Sequence, residues 1–214
     1  MRIDETKLGE NAKLTKMVLK RLDGHNEEEA LIYDNCLPNE QFLQIKNLLI
    51  TKTRVMPWFF SENIVSNLSP EVLEIFRKKG YKNDDVSQFT HLFHHVGNYS
   101  WSNFTEGILP LLELINPKAW IRVKANLGMK EEKHLIGGWH YDMNSACNSN
   151  NIAFNSMIGT FNVNTNNGYT LLETGDKIES IENRLVIFPC NIFHTGVTQT
   201  DTKRRVLLNL NFFI

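Results

Sequence analysis

Three side chains in the C-terminal half of the chain could together bind a metal ion. His140 and Asp142 are two positions apart, and in an extended chain such residues face the same side. His194 lies 54 positions after His140 (194 − 140) and could supply a second imidazole. Two imidazoles and one carboxylate on one face of a metal leave its other positions open, as in non-haem Fe(II) sites. We therefore predict these three residues as metal ligands and as the catalytic residues.

The short His-x-Asp pattern alone is better explained by a hydrogen-bonded pair at the end of a strand. Further sequence motifs favour the metal site over this hydrogen-bonded pair. They are Asn167-Gly168-Tyr169-Thr170 before a strand, the run from Asn183 to Pro189, the distal His194, and the ending Arg205-x-x-x-Asn209. With the His-Tyr-Asp motif, they make residues 120–213 resemble the 2-oxoglutarate/Fe(II)-dependent dioxygenases, specifically the prolyl-4-hydroxylase-like branch, while the preceding part resembles them loosely.

The resemblance implies a fold, a set of cofactors and a reaction. The implied fold is mainly β, with a double-stranded β-helix (a cupin-like jelly roll) as its core and N-terminal helices beside it. Fe(II) would be held by His140, Asp142 and His194. The reaction would couple oxidative decarboxylation of 2-oxoglutarate, with O₂, to hydroxylation of a peptide or protein side chain or of a small metabolite.

One position departs from the family and bears on the substrate. Prolyl hydroxylases that resemble this chain usually have a tryptophan six residues after the basic residue that binds the co-substrate, where it can flank the target proline. In this chain that position is Asn211. The resemblance therefore supports the reaction type better than it supports a proline-containing substrate.

Two adjacent arginines compete for the distal carboxylate of 2-oxoglutarate. Arg204 follows His194 by ten positions (204 − 194), a spacing often found for the family's basic residue. On a regular strand, however, Arg204 shares a face with apolar residues, whereas Arg205 lies on the opposite, mixed face with Asn209. A guanidinium can bind a carboxylate through two parallel hydrogen bonds. We expect Arg205 to bind the co-substrate with help from Asn209, although a β-bulge would reverse the choice to Arg204.

An alternating strand begins at Trp120 and carries polar residues on one face. Ile121, Val123, Ala125 and Leu127 share the apolar face, and the other face is formed by Arg122, Lys124 and Asn126. A polar face fits the wall of a ligand-filled barrel. We expect Asn126 to contact the co-substrate, with Arg122 or Lys124 nearer the substrate; a sheet face turned to water explains the two charged residues equally well.

The rest of the chain is expected to support this core within one domain of 214 residues. Residues 1–29 read as a polar arm or a surface helix, residues 30–116 as a helix-rich support region, and residues 117–214 as the catalytic core. The predicted helices run from a cap at Asn39 to Thr51, from Ser69 to Gly80, and from Asn103 to Leu114 with an interruption at Pro110. Gln88 to Val96 is predicted as a strand, with His91, His94 and His95 serving packing or the surface rather than metal binding.

Composition narrows the class and the compartment. The chain is 42% hydrophobic and 22% charged, which is typical of soluble globular proteins. Lys+Arg 23 against Asp+Glu 24 gives no global basic field, so nucleic acid is not indicated as a partner. The three cysteines have no C-x-x-C spacing, and we expect no signal peptide and no membrane span. A cytoplasmic enzyme is the leading expectation, and a non-catalytic cupin-like metal- or ligand-binding module is the alternative.

Overall fold

β-Strands dominate the part of the chain that the structure describes. In this computed structural model, the described residues are 3–20, 27–51, 55–62, 74, 77–78, 80, 83–98, 100–142 and 156–214. Their strands are β1 (Lys13–Lys20), β2 (Glu27–Asp34), β3 (Phe59–Ser61), β4 (Gln88–His95), β5 (Ala119–Met129), β6 (Ser156–Asn162), β7 (Tyr169–Leu172), β8 (Lys177–Glu179), β9 (Arg184–Pro189), β10 (His194–Val197) and β11 (Arg204–Phe213).

These strands form two antiparallel sheets. Within the described residues, the large sheet has the order β1-β2-β9-β6-β11-β5-β4-β3, and the small sheet has the order β10-β7-β8. Many neighbours in the large sheet are far apart in the sequence, as in a jelly roll, where strands that follow one another often lie in different sheets. The fold is therefore mainly β, as predicted.

Strand β11 lies at the centre of the large sheet, between β5 and β6, and separates the core from a cavity. Its even-numbered residues from Val206 to Phe212 have no exposed surface and belong to the main hydrophobic core. That core also contains buried side chains of α1 (Asn39–Lys46) and of α2 (Leu109–Ile115). This apolar face therefore packs on helices, and the opposite face is left for the site.

The N-terminal segment differs from its prediction. Residues 13–20 form strand β1, paired along its length with β2 at the edge of the large sheet, rather than an arm or a surface helix. Towards its end the strand alternates in burial, since Met17 is half-buried and Leu19 is fully buried while Val18 and Lys20 are exposed. The acidic stretch of β2 lies opposite the basic β1, with Lys16 Nζ 3.1 Å from Glu29 Oε2. The pairing with β2, rather than a local sequence pattern, makes this segment a strand.

The helices also differ in detail. Helix α1 has Pro38 rather than Asn39 as its N-cap and continues as a π-helical turn, Asn47–Thr51. Pro110 lies in the first turn of α2, directly after the 3-10 turn Thr105–Ile108, so it begins the α-helix instead of interrupting it. The described residues of 30–116 also include strands β2, β3 and β4, and β4 corresponds to the strand predicted from Gln88 to Val96. A third short helical turn is Glu5–Lys7.

The start of the helix predicted at Ser69 falls outside the described residues. In the described part of the chain, no helix has the length and apolar character needed to span a membrane.

Candidate metal centre and active-site cavity

The two histidines lie side by side because their backbones pair. His194 begins β10, and His140 forms an isolated antiparallel bridge with it. The His140 amide donates to the His194 carbonyl at 3.1 Å, and the His194 amide donates to the His140 carbonyl at 3.3 Å. Their ring centroids are 4.7 Å apart. Backbone hydrogen bonds therefore fix the separation of two ligands that are distant in the sequence.

Asp142 completes the group of metal-binding side chains. Its Oδ1 lies 3.5 Å from Nε2 of His140, and its Oδ2 lies 3.8 Å from Nε2 of His194. One ligand atom from each of the three residues lies within 4.8 Å of the others, and no other such group of ligands occurs among the described residues. The structure thus brings together all three predicted ligands.

The orientation of the imidazoles fits a divalent metal. Nδ1 of His140 lies 2.8 Å from the Gly138 carbonyl, and Nδ1 of His194 lies 3.2 Å from the Ile192 carbonyl. A carbonyl only accepts hydrogen bonds, so each Nδ1 carries a hydrogen and each Nε2 faces Asp142. Two imidazole nitrogens and a carboxylate thus lie close together, which suits a cation. Hydrogen-bonded outer nitrogens are typical of metal-binding histidines.

Three donors hold the Asp142 carboxylate in place. Arg122 Nη2 donates to Oδ1 at 2.7 Å, while Oδ2 accepts from Asn209 Nδ2 at 2.7 Å and from Asn211 Nδ2 at 3.1 Å. Burial alone would raise the pKa of Asp142, but the Arg122 charge, together with the neighbouring histidines, holds this pKa well below its usual value. The carboxylate is therefore ionised and pre-oriented for a metal.

His194 is kept neutral by its surroundings. Burial, followed by the proximity of His140, lowers the pKa of His194 to about 4, although the Asp142 charge acts in the opposite direction. A neutral imidazole is the form that binds metals. The site therefore needs no proton release from His194 to accept a metal at neutral pH.

A cavity of about 590 Å³ opens beside the three ligands. The inward face of β5, formed by Arg122, Lys124 and Asn126, lines it, as do Arg205 and Asn209 of β11. The predicted cavity-facing side of both strands is confirmed. Four buried atoms of lining residues have no hydrogen-bond partner in the described structure and are available to a polar ligand. They are Arg122 Nε, Asn126 Oδ1, Thr160 Oγ1 and Gln199 Oε1.

The guanidinium of Arg205 is held by hydroxyl groups rather than by an acid. Its Nε donates to Ser180 Oγ at 2.9 Å and its Nη2 donates to Thr170 Oγ1 at 3.2 Å. Burial lowers the pKa of Arg205 to about 10, so the group stays charged at neutral pH. No acidic side chain is within ion-pair distance in the described residues. Its charge is thus left for an anionic ligand.

Two glycines make room for this arginine. A Cβ atom on Gly196 would lie 3.3 Å from Arg205 Nη1, and one on Gly168 would lie 3.0 Å from Arg205 Cδ and 2.8 Å from the Val197 carbonyl oxygen. Gly168 belongs to the Asn-Gly-Tyr-Thr motif, and Thr170 of the same motif contacts Arg205. This motif therefore provides both the space for the Arg205 side chain and a hydrogen-bond partner for its guanidinium.

The structure separates the two rival arginines. The pairing of β11 with β5 is regular from Arg204 to Asn211, and its irregularity falls between Asn211 and Phe212. No bulge therefore reverses the alternation, and Arg204 is not among the cavity-lining residues whereas Arg205 is.

Three contacts in the site were not predicted from the sequence. The amide of Asn209 donates to the metal-binding carboxylate, whereas it was expected to assist Arg205. Arg122 or Lys124 was expected nearer the substrate, and Arg122 contacts Asp142. Asn211 was noted only for the tryptophan it replaces. Asn211 lies on the same face of β11 as Asn209, and this shared face was the sequence signal that could have placed Asn211 at the site.

The three histidines of β4 stay outside the metal site. His91 Nδ1 lies 2.8 Å from the Pro57 carbonyl and its Nε2 lies 2.9 Å from Ser102 Oγ, while His94 stacks on Trp101 with ring centroids 4.2 Å apart. His95 is exposed. The prediction that they serve packing or the surface is confirmed.

Comparisons with known proteins add to this geometry. No family model and no curated protein matches the sequence. A crystal structure described as an oxidoreductase of the 2OG-Fe(II) oxygenase family, from Burkholderia pseudomallei, is 12% identical and aligns over 82% of this chain and 80% of its own, with a TM-score of 0.53. A Pseudomonas putida prolyl-4-hydroxylase is 9% identical over 81% of this chain and 97% of its own, with a TM-score of 0.34. The first similarity shows that the chain has the jelly-roll fold of a 2-oxoglutarate/Fe(II) oxygenase structure.

Proposed function

We propose that the protein is an Fe(II)- and 2-oxoglutarate-dependent oxygenase that hydroxylates its substrate. The balanced reaction converts 2-oxoglutarate, O₂ and a substrate C–H bond into succinate, CO₂ and a C–OH group. The observation that carries the proposal is the convergence of His140, Asp142 and His194 on one cavity that also contains the acid-free guanidinium of Arg205. The oxygenase fold found by comparison agrees with it.

The metal would be held by Nε2 of His140, Nε2 of His194 and one oxygen of Asp142. Ferrous iron bound there supplies the activation of O₂ for oxidation of a C–H bond. The protein's part is to orient both imidazoles, to keep His194 neutral and Asp142 ionised, and to leave the cavity side of the site open. The outer contacts of all three ligands serve this purpose.

The co-substrate would lie between Arg205 and the metal ligands. Arg205 binds the distal carboxylate, and the hydroxyls of Thr170 and Ser180 fix the guanidinium for this contact. Asn126 lies between these ends, because it pairs with Leu207, midway from Arg205 to Asn209 on β11. Its buried Oδ1 has no partner in the described residues. Asn126 therefore serves as a polar contact for the bound co-substrate.

The substrate belongs to one of two broad classes, a peptide or protein side chain or a small metabolite. Asn211 is fully buried and donates to Asp142, and it does not line the cavity. Where the resembling prolyl hydroxylases have the tryptophan that flanks proline, this chain uses the position to hold a metal ligand. This contact favours a substrate other than a proline-containing peptide.

Succinate formation tests the proposal. The metal-free protein is titrated anaerobically with Fe(II) and 2-oxoglutarate and then exposed to O₂, because such enzymes turn over slowly even without substrate. We expect succinate from the wild type, none from His140→Ala, and a strong loss in Arg205→Met. Arg204→Met is the matched control. Arg204 is adjacent to Arg205 in the sequence but does not line the cavity, so this variant should behave as the wild type.

The outcomes separate the enzyme from the binding-module alternative. Metal and 2-oxoglutarate binding that never yields succinate, with or without candidate substrates, would favour a non-catalytic module. Failure of the wild type to bind either ligand would overturn the oxygenase proposal.

A further inference from the structure

The ammonium group of Lys124 has no partner in the described structure. Lys124 lies on the inward face of β5, between Arg122 and Asn126, and lines the same cavity as the metal ligands. No hydrogen bond or ion pair joins its ammonium to any residue that the structure describes. Burial, followed by the Arg122 charge, lowers the pKa of Lys124 to about 8, so it is still mainly protonated at neutral pH.

Each of the other two cationic side chains of the cavity has an anionic partner in the proposed complex. Arg122 is paired with Asp142, and Arg205 is positioned for the distal carboxylate of 2-oxoglutarate. Asp142 is the single acidic residue among the described residues that line the cavity. Three cationic side chains against one carboxylate leave two positive charges (3 − 1). A divalent metal and the 2-oxoglutarate dianion cancel each other and do not change this balance.

The segment that follows Asp142 in the sequence carries no charged side chain. Residues 143–155, which follow Asp142 directly, contain no aspartate, glutamate, lysine or arginine. An unpaired charge in a largely desolvated cavity is costly, and the cost is recovered only when an anion binds it. Among the residues that the structure describes, Lys124 is thus left to a ligand.

Lys124 lies away from Arg205, where the distal carboxylate of 2-oxoglutarate is proposed to bind. In the β5–β11 pairing, Lys124 lies opposite Asn209, whereas Gly128 lies opposite Arg205. Four residues along a strand correspond to about 13 Å. Lys124 therefore lies at the metal end of the cavity, beside Asn209 and close to Asp142. On its other side β5 pairs with β4, whose Gln88 and Thr90 also line the cavity.

On the basis of the proposed function, we propose that the primary substrate is a small organic anion whose carboxylate or phosphate group binds the Lys124 ammonium. The anion takes up the charge that Asp142 and 2-oxoglutarate leave unmatched. Its contact with Lys124 holds the neighbouring carbon atoms beside the metal ligands, where the C–H bond is oxidised. An uncharged substrate would leave a buried ammonium without a partner and would bind less tightly.

Matched small probes test this inference without turnover. The protein is loaded with Zn(II), which replaces iron and is redox-inactive, and with saturating 2-oxoglutarate at neutral pH. Fluoroacetate and its uncharged analogue fluoroacetamide are then titrated and followed by fluorine NMR, and methyl phosphate is followed by phosphorus NMR. We expect fluoroacetate or methyl phosphate to bind and fluoroacetamide not to bind. The oxyanion that binds identifies the anionic group.

Variants assign the contact to Lys124. Lys124→Met should weaken oxyanion binding about ten-fold or more, the effect of losing one charge-assisted hydrogen bond. Lys124→Arg, which keeps the charge, should retain it. Lys13→Met is the control, because Lys13 is exposed on β1 at the far edge of the sheet. The affinity of Lys124→Met for 2-oxoglutarate should stay within about two-fold of the wild type, since Lys124 is assigned to the substrate.

Three results would overturn the inference. The first is a wild type that binds 2-oxoglutarate but neither oxyanion; the second is oxyanion binding that is unchanged in Lys124→Met. The third is a loss of 2-oxoglutarate affinity in Lys124→Met as large as the loss of oxyanion affinity, which would assign the lysine to the co-substrate. A wild type that fails to bind 2-oxoglutarate at all would instead remove the proposed function on which the inference rests.

Discussion

Arg122 on β5 donates a hydrogen bond to Oδ1 of Asp142 at 2.7 Å, and this contact joins the large sheet to the segment that carries two metal ligands. The Asp142 side chain is 4% exposed and that of Arg122 is 21% exposed. In such a buried pair, the arginine keeps the carboxylate ionised while the carboxylate offsets the arginine's own desolvation. Neither charge is expected to be tolerated well without the other.

Removing Arg122 should destabilise the metal-free protein. Arg122→Met leaves the buried Asp142 carboxylate without its cation, and we expect the free energy of unfolding to fall by about 3 kcal/mol at neutral pH. Urea unfolding with a chelator present measures it. The double variant Arg122→Met/Asp142→Asn, which removes both charges, should be more stable than the single variant. Equal losses in both would contradict the coupling.

Asn209 and Asn126 should affect different ligands although they lie on neighbouring strands. Asn209→Ala removes a donor to Asp142 and should weaken Zn(II) or Fe(II) binding about ten-fold, since such outer contacts have effects of this size. The 2-oxoglutarate affinity of its metal-loaded form should change little. Asn126→Ala should show the reverse pattern. Calorimetric titration of both ligands into both variants measures this, and a loss confined to 2-oxoglutarate in Asn209→Ala would return Asn209 to the role first expected of it.

The two glycines beside Arg205 should respond differently to an added methyl group. In Gly196→Ala the new Cβ meets the end of the Arg205 side chain, which can move, so co-substrate affinity should fall several-fold with little change in stability. In Gly168→Ala it meets the Val197 carbonyl oxygen, which is part of the backbone, so the free energy of unfolding should fall by about 1 to 3 kcal/mol. Thermal unfolding and 2-oxoglutarate titration measure the two effects. Identical stabilities of the two variants would contradict this contrast.

Stability of the metal-free protein should depend on pH through His194. Its pKa is about 4 in the folded protein against 6.5 unperturbed, so the unfolded chain binds the proton more readily. The resulting contribution is complete above pH 6.5 and is lost as the pH falls toward about 4, with a size of about 3 kcal/mol. Asp142, whose pKa is held well below 3.8, titrates below this window.

The variant His194→Gln isolates this contribution. Urea unfolding between pH 7 and pH 4 should show a smaller loss of stability in His194→Gln than in the wild type. Parallel pH profiles for the two proteins would mean that His194 titrates as an ordinary exposed histidine.

Much of the site could be predicted because strand alternation is a strong local signal. The period-two patterns of β5 and β11 indicated which residues face the cavity, and they separated Arg205 from Arg204. The motif His-x-Asp and the later His194 pointed to the three side chains that the structure brings together. These predictions were possible because each one depends on residues that are close in the sequence, or on a family resemblance that a few motifs carry.

The contacts around Asp142 could not be predicted in this way. Arg122, Asn209 and Asn211 reach the carboxylate from two strands, and their convergence depends on strand register, which alternation does not specify. Strand β1 was missed for another reason. Its lysines dominate the local charge, and the pairing that makes it a strand comes from β2, beyond the range of a local pattern.

The backbone bridge between His140 and His194 has a consequence for how this protein could diversify. Because two peptide hydrogen bonds set the ligand separation, the connecting chain between these residues does not determine it. The length and composition of the connecting chain could therefore change during evolution while the paired histidines keep their separation.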